Sequence, residues 1–533
     1  MISVASSTVP TAIASVQASY AALPLPDTTK GLTGPVIHFC DCGTGASGSC
    51  VAGNDTTGNG SAANPYQSLA KAVTTLNAAS SGTTIAMCQG GAFNATASYT
   101  INTTCTAGTT CFDLREYSPT TFSATAKPII NNSLSSILFT VQNGHGGVRF
   151  MNLSFKGNNT GSNELFFLWN AAHDVTIANN TIDSFSLPID NENQTSATSN
   201  TNVTVTGNNI TNSSVMGFLG GGNNQVLSYN YFEGNGTNDG SAYRNHSIYI
   251  SSHNSVTGNY VIGNYVHGQY GSTCYGSQIV VHSIDSDLQI KGNYVAADAS
   301  AANIHCWGIE VDNGAYAAGD TGAVISNNTI LVGGNEGIVM NNCNTCEISN
   351  NLLVNNTSAN YGGISVASQA HGSFNLNTNT TVKNNTIYFS PATSGSLQGI
   401  TIGVEGSGYI VANNVISSAQ SSGSLTCSNY TGGGLTPAAY TAINNQLCYK
   451  SSGTPTWEGG TGNSIVSWTG STGFDTASII SSDPLFTAPT ATPPNFVPNT
   501  GSPLIGAGTH TYTTTTDIVG TTRTNPPAIG AYE

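Results

Sequence analysis

The chain has 533 residues, enough to bury a large core, and only 7% of them are Asp, Glu, Lys or Arg, against roughly 25% in an average soluble domain. Its 26 acidic and 11 basic residues give a net charge of −15, which offers no basic patch for phosphates and excludes nucleic acid as a partner. The same imbalance counts against polyanionic sugars such as pectin or alginate, which need Lys or Arg at the site.

Residues 1–35 carry no charge before Asp27 and alternate Val, Ile and Ala with Ser and Thr. They read as an extended apolar tail able to donate a strand to a neighbouring subunit, a route to self-association. The start has no Lys or Arg and is no signal peptide as it stands. No run of 18 or more apolar residues follows anywhere, so no membrane span is expected.

Residues 36–130 read as an N-terminal cap and first coils. Within them "NPYQSLAKAVTTLN" predicts a helix with Asn64 as N-cap, Pro65 at the first helical position, and Tyr66, Leu69, Val73 and Leu76 on one face. Such a helix would plug an open sheet end.

Residues 131–450 repeat themselves. "ISNNTILVGGNEGIVMNNCNTCEISNNLLVNN", residues 325–356, says nearly the same thing twice. Asn152, Asn180, Asn208, Asn230, Asn259, Asn293, Asn328, Asn351, Asn385 and Asn414 share this local pattern, with Asn445 as an eleventh, at a mean step of about 29 residues, within the range of solenoid repeats. Between them "SIYIS", "QIVVH", "GIEVD", "GIVMN", "GISVA" and "GITIG" alternate with period two, as short half-buried strands do. Two or three strands per turn, joined at Gly and Asn bends, would coil into a parallel solenoid. The repeated Asn would stack from coil to coil at the strand spacing of about 4.8 Å and would tolerate the left-handed backbone of a sharp bend.

Twelve cysteines fall in near-neighbour groups: Cys40, Cys42, Cys50 and Cys88; Cys105 and Cys111; Cys274 and Cys306; Cys343 and Cys346; Cys427 and Cys448. The grouping predicts local disulfides in an oxidising, extracellular or cell-surface setting. Zinc and redox readings of Cys40-x-Cys42 and Cys343-Asn-Thr-Cys346 lack a second CxxC or a histidine cluster.

Residues 451–533 form a closing segment. This stretch, "SDPLF…PNTGSPLIGAG…IGAYE", is similar to the closing segment of secreted β-helix proteins with a C-terminal anchor-type module, and "GNDTTGNGSAANPYQSLAKAVTTLNAASSGTTIAMCQGGAF" resembles the opening of secreted bacterial β-helix proteins. With the Asn repeat, the chain is identified as a member of the right-handed parallel β-helix superfamily: all-β, with an Asn ladder and an N-terminal capping helix. The resemblance covers roughly residues 36–533 and specifies fold far better than activity.

In that fold Ile248, Ile279 and Ile309 face in, so Tyr249, Val280 and Glu310 face out, followed by Ser251, His282 and Asp312. Around them lie Arg244, His246, His253, His267, Lys291, His305 and Trp307, where ionisable groups gather. Two chemistries fit. Tyr249 and His282 could serve as acid and base toward a uronate, with Arg244 or Lys291 on its carboxylate and His246 and Trp307 as substrate contacts. Glu310 and Asp312, about 7 Å apart along one strand, could be a glycosidase pair of inverting spacing. The aspartate pair and late Arg-x-Lys of β-helix polygalacturonases do not occur in order, and "GHGG" at 144–147 reads as a turn without them. No metal or cofactor motif is read: calcium on Asp285 and Asp287 has no EF-hand-type loop to support it.

Some twenty Asn-x-Ser/Thr sequons, among them Asn54, Asn94, Asn193, Asn235, Asn355 and Asn429, would let glycans keep so uncharged a surface dissolved. The sequence therefore predicts an extracellular structural or adhesive β-helix protein, a self-assembling fibre or surface subunit, disulfide-stapled and glycosylated. The alternative is a secreted carbohydrate-active enzyme, a lyase, epimerase or glycoside hydrolase, with a groove over residues 244–312.

Overall fold

The computed structural model describes residues 32–192, 197–236, 246–267, 276–296, 306–312, 318–331, 335–356, 361–366, 377–459, 464–491 and 493–533, with the side chain of Cys306 excepted. Nearly all of the tail, with Arg244, His305, Cys274 and Asn193, lies outside them.

Two compact units, residues 23–260 and residues 261–533, share one architecture, the right-handed parallel β-helix. Each turn contributes three strands to three parallel sheets. In the first unit the strands Thr176–Ala178, Thr181–Asp183 and Leu187–Asn191 are followed one turn later by Thr204–Thr206, Asn209–Thr211 and Met216–Gly220. Pairing is in register, Ile177 on Val205 and Ile182 on Ile210. In the second unit Val324–Ser326, Thr329–Leu331 and Glu336–Met340 are followed by Glu347–Ser349, Leu352–Asn355 and Tyr361–Val366, with Ile325 on Ile348, Ile330 on Leu353 and Ile338 on Ile364. All these aliphatics are fully buried. The core is thus a set of one-residue columns, and a parallel strand pair can be joined only by the long excursion that the other two faces supply.

The asparagine doublet divides two tasks between neighbours. The first member takes the left-handed conformation at the corner, with φ of 56° at Asn179, 57° at Asn327, 54° at Asn350 and Asn384, and 57° at Asn413. The second is buried and carries the ladder. Asn180 Nδ2 donates to Asn208 Oδ1 at 3.0 Å and Asn208 to Asn230 at 2.9 Å in one unit. In the other the chain runs Asn264, Asn293, Asn328, Asn351, Asn385 and Asn414 at 2.9–3.0 Å. Rungs also give an N–H to a main-chain carbonyl, as Asn328 does to Ile290. Three expected rungs are displaced. Asn152 and Asn445 are left-handed corner residues, with Leu153 N–H on the ladder in place of the first and Gln446 following the second; Asn259 accepts from Gly222 instead.

The helix Leu69–Ala78 buries Leu69, Ala72, Val73 and Leu76. Its N-cap is Ser68, whose hydroxyl accepts from Lys71 N–H at 3.1 Å, and not Asn64. The backbone of Tyr66 is held as strand against His38 and Cys40, so the helix cannot begin at Pro65. Disulfides join Cys40 to Cys88, Cys42 to Cys50, Cys105 to Cys111, Cys343 to Cys346 and Cys427 to Cys448.

In the second unit the closing segment lies along the corner and the second sheet. The corner asparagines hold its main chain, Asn350 to Thr516 O at 2.8 Å, Asn413 to Thr509 O at 2.9 Å and Asn445 to Ala507 O at 2.8 Å. Phe496, Ile518 and Ala531 pack on Leu352, Val354 and Tyr388. With the second sheet covered in this way, the outward side of the third sheet is the place to look for chemistry.

Candidate functional site

The third strands of the second unit do not alternate strictly. Register pairs Ser277 with Trp307 and Trp307 with Glu336, then Ile279 with Ile309 and Ile338, then Val280 with Glu310 and Val339, and finally His282 with Asp312. Ile279, Ile309 and Ile338 are inside. The residue before each of the latter two is Gly308 or Gly337, where a Cβ would meet Gly337 O at 2.5 Å or Tyr361 Oη at 2.4 Å. The glycine bend places two consecutive positions on the inner side, so the outward set on one strand is Trp307, Glu310 and Asp312. This explains the glycine that opens "GIEVD", "GIVMN" and "GISVA".

Outward residues of adjacent turns meet along one diagonal. Ser277 Oγ donates to Glu310 Oε2 at 2.5 Å, and Ser365 Oγ donates to Glu336 Oε1 at 2.7 Å. Burial pushes the Glu310 carboxyl up; the Ser277 bond opposes this and the Asp312 charge adds to it. Burial raises Glu336 likewise, against hydrogen bonds from Ser365 and Trp307 and with the charge of Glu310. Asn341 Nδ2 donates to Asp312 Oδ2 at 3.2 Å. Burial holds the imidazole of His282 below its ordinary range, against the pull of Asp312. Deeper still, Asp320 accepts from Ser283 Oγ at 2.7 Å and Asp285 N–H at 2.8 Å, and burial lifts it to about 8.

The structure brings together Trp307, Glu310 and Asp312 with His282, as the strand alignment implies. It does not bring Lys291 to them. Lys291 belongs to the first sheet, paired with Ser326, and its ammonium donates to Gln289 Oε1 at 2.7 Å; the period-two reading has no means of assigning a strand to a face. Tyr249 and His246 lie in the other unit, paired with Leu219 and Met216 and with their rings 5.3 Å apart. Arg244 is outside the described residues. Asn235 and Asn355 are fully buried, and Asn235 Nδ2 is given to Ile210 O at 2.8 Å, so neither amide is presented to a glycosyl-transferring enzyme. Asn54 and Asn94 are exposed and Asn429 half-buried. Among the described residues no group of three His, Cys, Asp or Glu could hold a metal ion, and no helix is long and apolar enough to cross a membrane.

The sequence reading missed Glu336, Ser277 and Ser365, and in the unit 23–260 it missed Glu164, Asp190 and Glu192. There Glu164 pairs with Leu187 and Phe167 with Asp190, the same outward positions as Trp307 and Glu310. A carboxylate three residues before the next outward position was the available signal, legible only once the bend is known.

No protein-family model and no curated protein matches the sequence. Among solved structures the chain is similar to the Dettilon tailspike protein, at 13% identity over 70% of this chain and 68% of that one, TM-score 0.43. It is similar to pectate lyase Pel9A at 11% over 95% and 98%, TM-score 0.38, and to the A-module of the Azotobacter vinelandii mannuronan C-5 epimerase AlgE4 at 13% over 74% and 95%, TM-score 0.38.

Proposed function

We propose that this protein acts on a glycan, cleaving glycosidic bonds with Glu310 as general acid and Asp312 as general base. The observation that supports this most is the state of Glu310: an outward carboxyl, lifted by burial and by Asp312 and gripped by one neutral hydroxyl. A shift in that direction favours the protonated form that a general acid needs to serve a leaving oxygen. Asp312, two residues along the same strand and about 7 Å away, is placed to take the proton of a water attacking the anomeric carbon from the other face. The C–O bond breaks, the leaving oxygen receives the Glu310 proton, and the water proton passes to Asp312. That separation suits inversion of configuration.

Trp307 offers a flat ring beside the pair, and Glu336 borders it from the next turn. The scarcity of cations fits a neutral or cationic sugar better than a uronate. Disulfides fit an oxidising compartment in which an extracellular polymer would be met. The fibre reading rests on residues 1–26, which lie outside the described residues.

The test is hydrolysis of a panel of neutral, amino and acidic polysaccharides by the native protein and by E310Q, with the product anomer read by proton NMR at early times. Release of the inverted anomer by native protein alone supports the proposal. Equal release by E310Q, or retention, would overturn the roles assigned.

A further inference from the structure

In the unit 23–260 the strands Glu164–Trp169 and Leu187–Asn191 present two adjacent rows of outward side chains. One row is Glu164, Phe167 and Trp169. The other, one turn on, is Leu187, Asp190 and Glu192, with Asp190 paired to Phe167 and Glu192 N–H bonded to Leu168 O at 3.0 Å. The rings of Phe167 and Trp169 stack, with centroids 6.1 Å apart and planes 13° from parallel. Glu164 and Asp190 occupy the diagonal on which, in the other unit, a serine hydroxyl meets each carboxylate. Here both ends are acids.

Among the described residues neither Glu164 nor Asp190 has an ion-pair partner. Asp190 is 8% exposed, and its Oδ1 is buried with no hydrogen-bond partner. Burial, then the charges of Glu164 and Glu192, push Asp190 well up. Burial and Glu192 lift Glu164 to about 7. Burial raises Glu192 too, with the imidazole of His253 opposing. The flanking strands add no charge at the facing positions: Thr140 and Gln142 on one side, Leu219 on the other. Arg149 is engaged by Asp113 and Lys383 by Glu347. A buried carboxylate oxygen without a donor is costly, and a ligand carrying N–H donors and positive charge would meet it.

We infer that Glu164, Asp190, Phe167 and Trp169 form a binding subsite for a sugar ring carrying a protonated amino group. The stacked rings give a flat face for a pyranose and a favourable field for a cation above it. The diagonal between Glu164 and Asp190 receives the ammonium, whose N–H groups supply the donor that Asp190 Oδ1 lacks. The inference rests on the proposed glycan substrate for the polymer and on these residues for the charge. Entry of the cation favours the ionised carboxylates, so a proton held by Glu164, whose carboxyl is lifted to about 7, leaves when the ligand binds at pH 6.

The test is isothermal titration of the full disulfide-bonded chain at pH 6 with a glucosamine tetramer and with its fully N-acetylated counterpart, each in two buffers of different ionisation enthalpy. The glucosamine tetramer is expected to bind at least about tenfold more tightly, as a charge-assisted contact implies, with proton release. The variant carrying E164Q and D190N should lose that preference and that release while keeping its far-UV circular dichroism, and F167A alone should weaken both tetramers. Equal affinity for the two tetramers, absence of proton release, or an unchanged preference in the double variant would overturn the inference. Tight, proton-releasing binding without hydrolysis of any glycan would support the subsite and count against the proposed activity. Hydrolysis of neutral glycans without an ammonium preference would do the reverse.

Discussion

The patch around Glu310 and the patch around Glu164 follow one pattern, three outward positions on each third strand with a bend after the first, yet their carboxylates are treated differently. At Glu310 and Glu336 each diagonal ends on a serine, a neutral donor 2.5 or 2.7 Å away. At Glu164 and Asp190 the diagonal ends on a second acid, and one oxygen has no donor at all. A hydroxyl tempers a buried carboxyl and leaves it a proton to transfer. A second carboxyl leaves a deficit of positive charge, which a ligand can fill. On the proposed assignment, the difference is that between a group prepared to react and a group prepared to bind.

The largest effect expected from this contrast is on turnover. E310Q should lower kcat by roughly 10²–10⁴-fold, the usual worth of a general acid, with KM little changed. E164Q should act on KM for an amino glycan, raising it about tenfold. A steady-state comparison of the two variants on one substrate checks both, and a kcat collapse in E164Q would erase the distinction.

Next in size is the dependence of stability on pH. A carboxyl whose pKa is raised on folding contributes its stability while protonated, below its unfolded value, and loses it as pH rises toward the folded value. For Glu164 that window runs from the ordinary glutamate value of 4.5 to about 7. The variant with E164Q and D190N escapes this loss, so its Tm should exceed that of the native protein by roughly 2–4 °C at pH 8 and match it at pH 4. Differential scanning calorimetry at the two values decides this; a lower Tm at pH 8 would mean that the acids are paired in the fold.

The smallest effect concerns the serine. Removing the Ser277 hydroxyl takes away a bond that favours ionised Glu310, so S277A should move the upper limb of the pH–rate profile to higher pH. S365A should leave that limb close to the native position, because its bond is to Glu336.

Much of the fold was legible because it depends on residues that repeat. The Ile columns at 279 and 309 and the asparagine doublets recur in register, and each has one physical reason to recur. The helix start was misplaced because Asn64-Pro65 is a good opening on local grounds, while the strand pairing of Tyr66 is a tertiary constraint. The site was only half legible. Strict alternation finds Glu310 and Asp312, while Trp307 was named for its nearness in sequence and is turned outward by the bend at Gly308. Glu336 and Glu164 were hidden by the same assumption. Lys291 was included because nearness in sequence says nothing about which of three faces a strand joins.

The most direct measurement is reducing-end release from dextran, galactan, chitosan, chitin oligomers, alginate and polygalacturonate, incubated in parallel with native protein and with E310Q and followed by mass spectrometry. The expected result is oligosaccharide products from at least one neutral or amino glycan with native protein and none with E310Q. No product from any glycan, or the same products from both proteins, would contradict the assignment of this face as a glycosidic site.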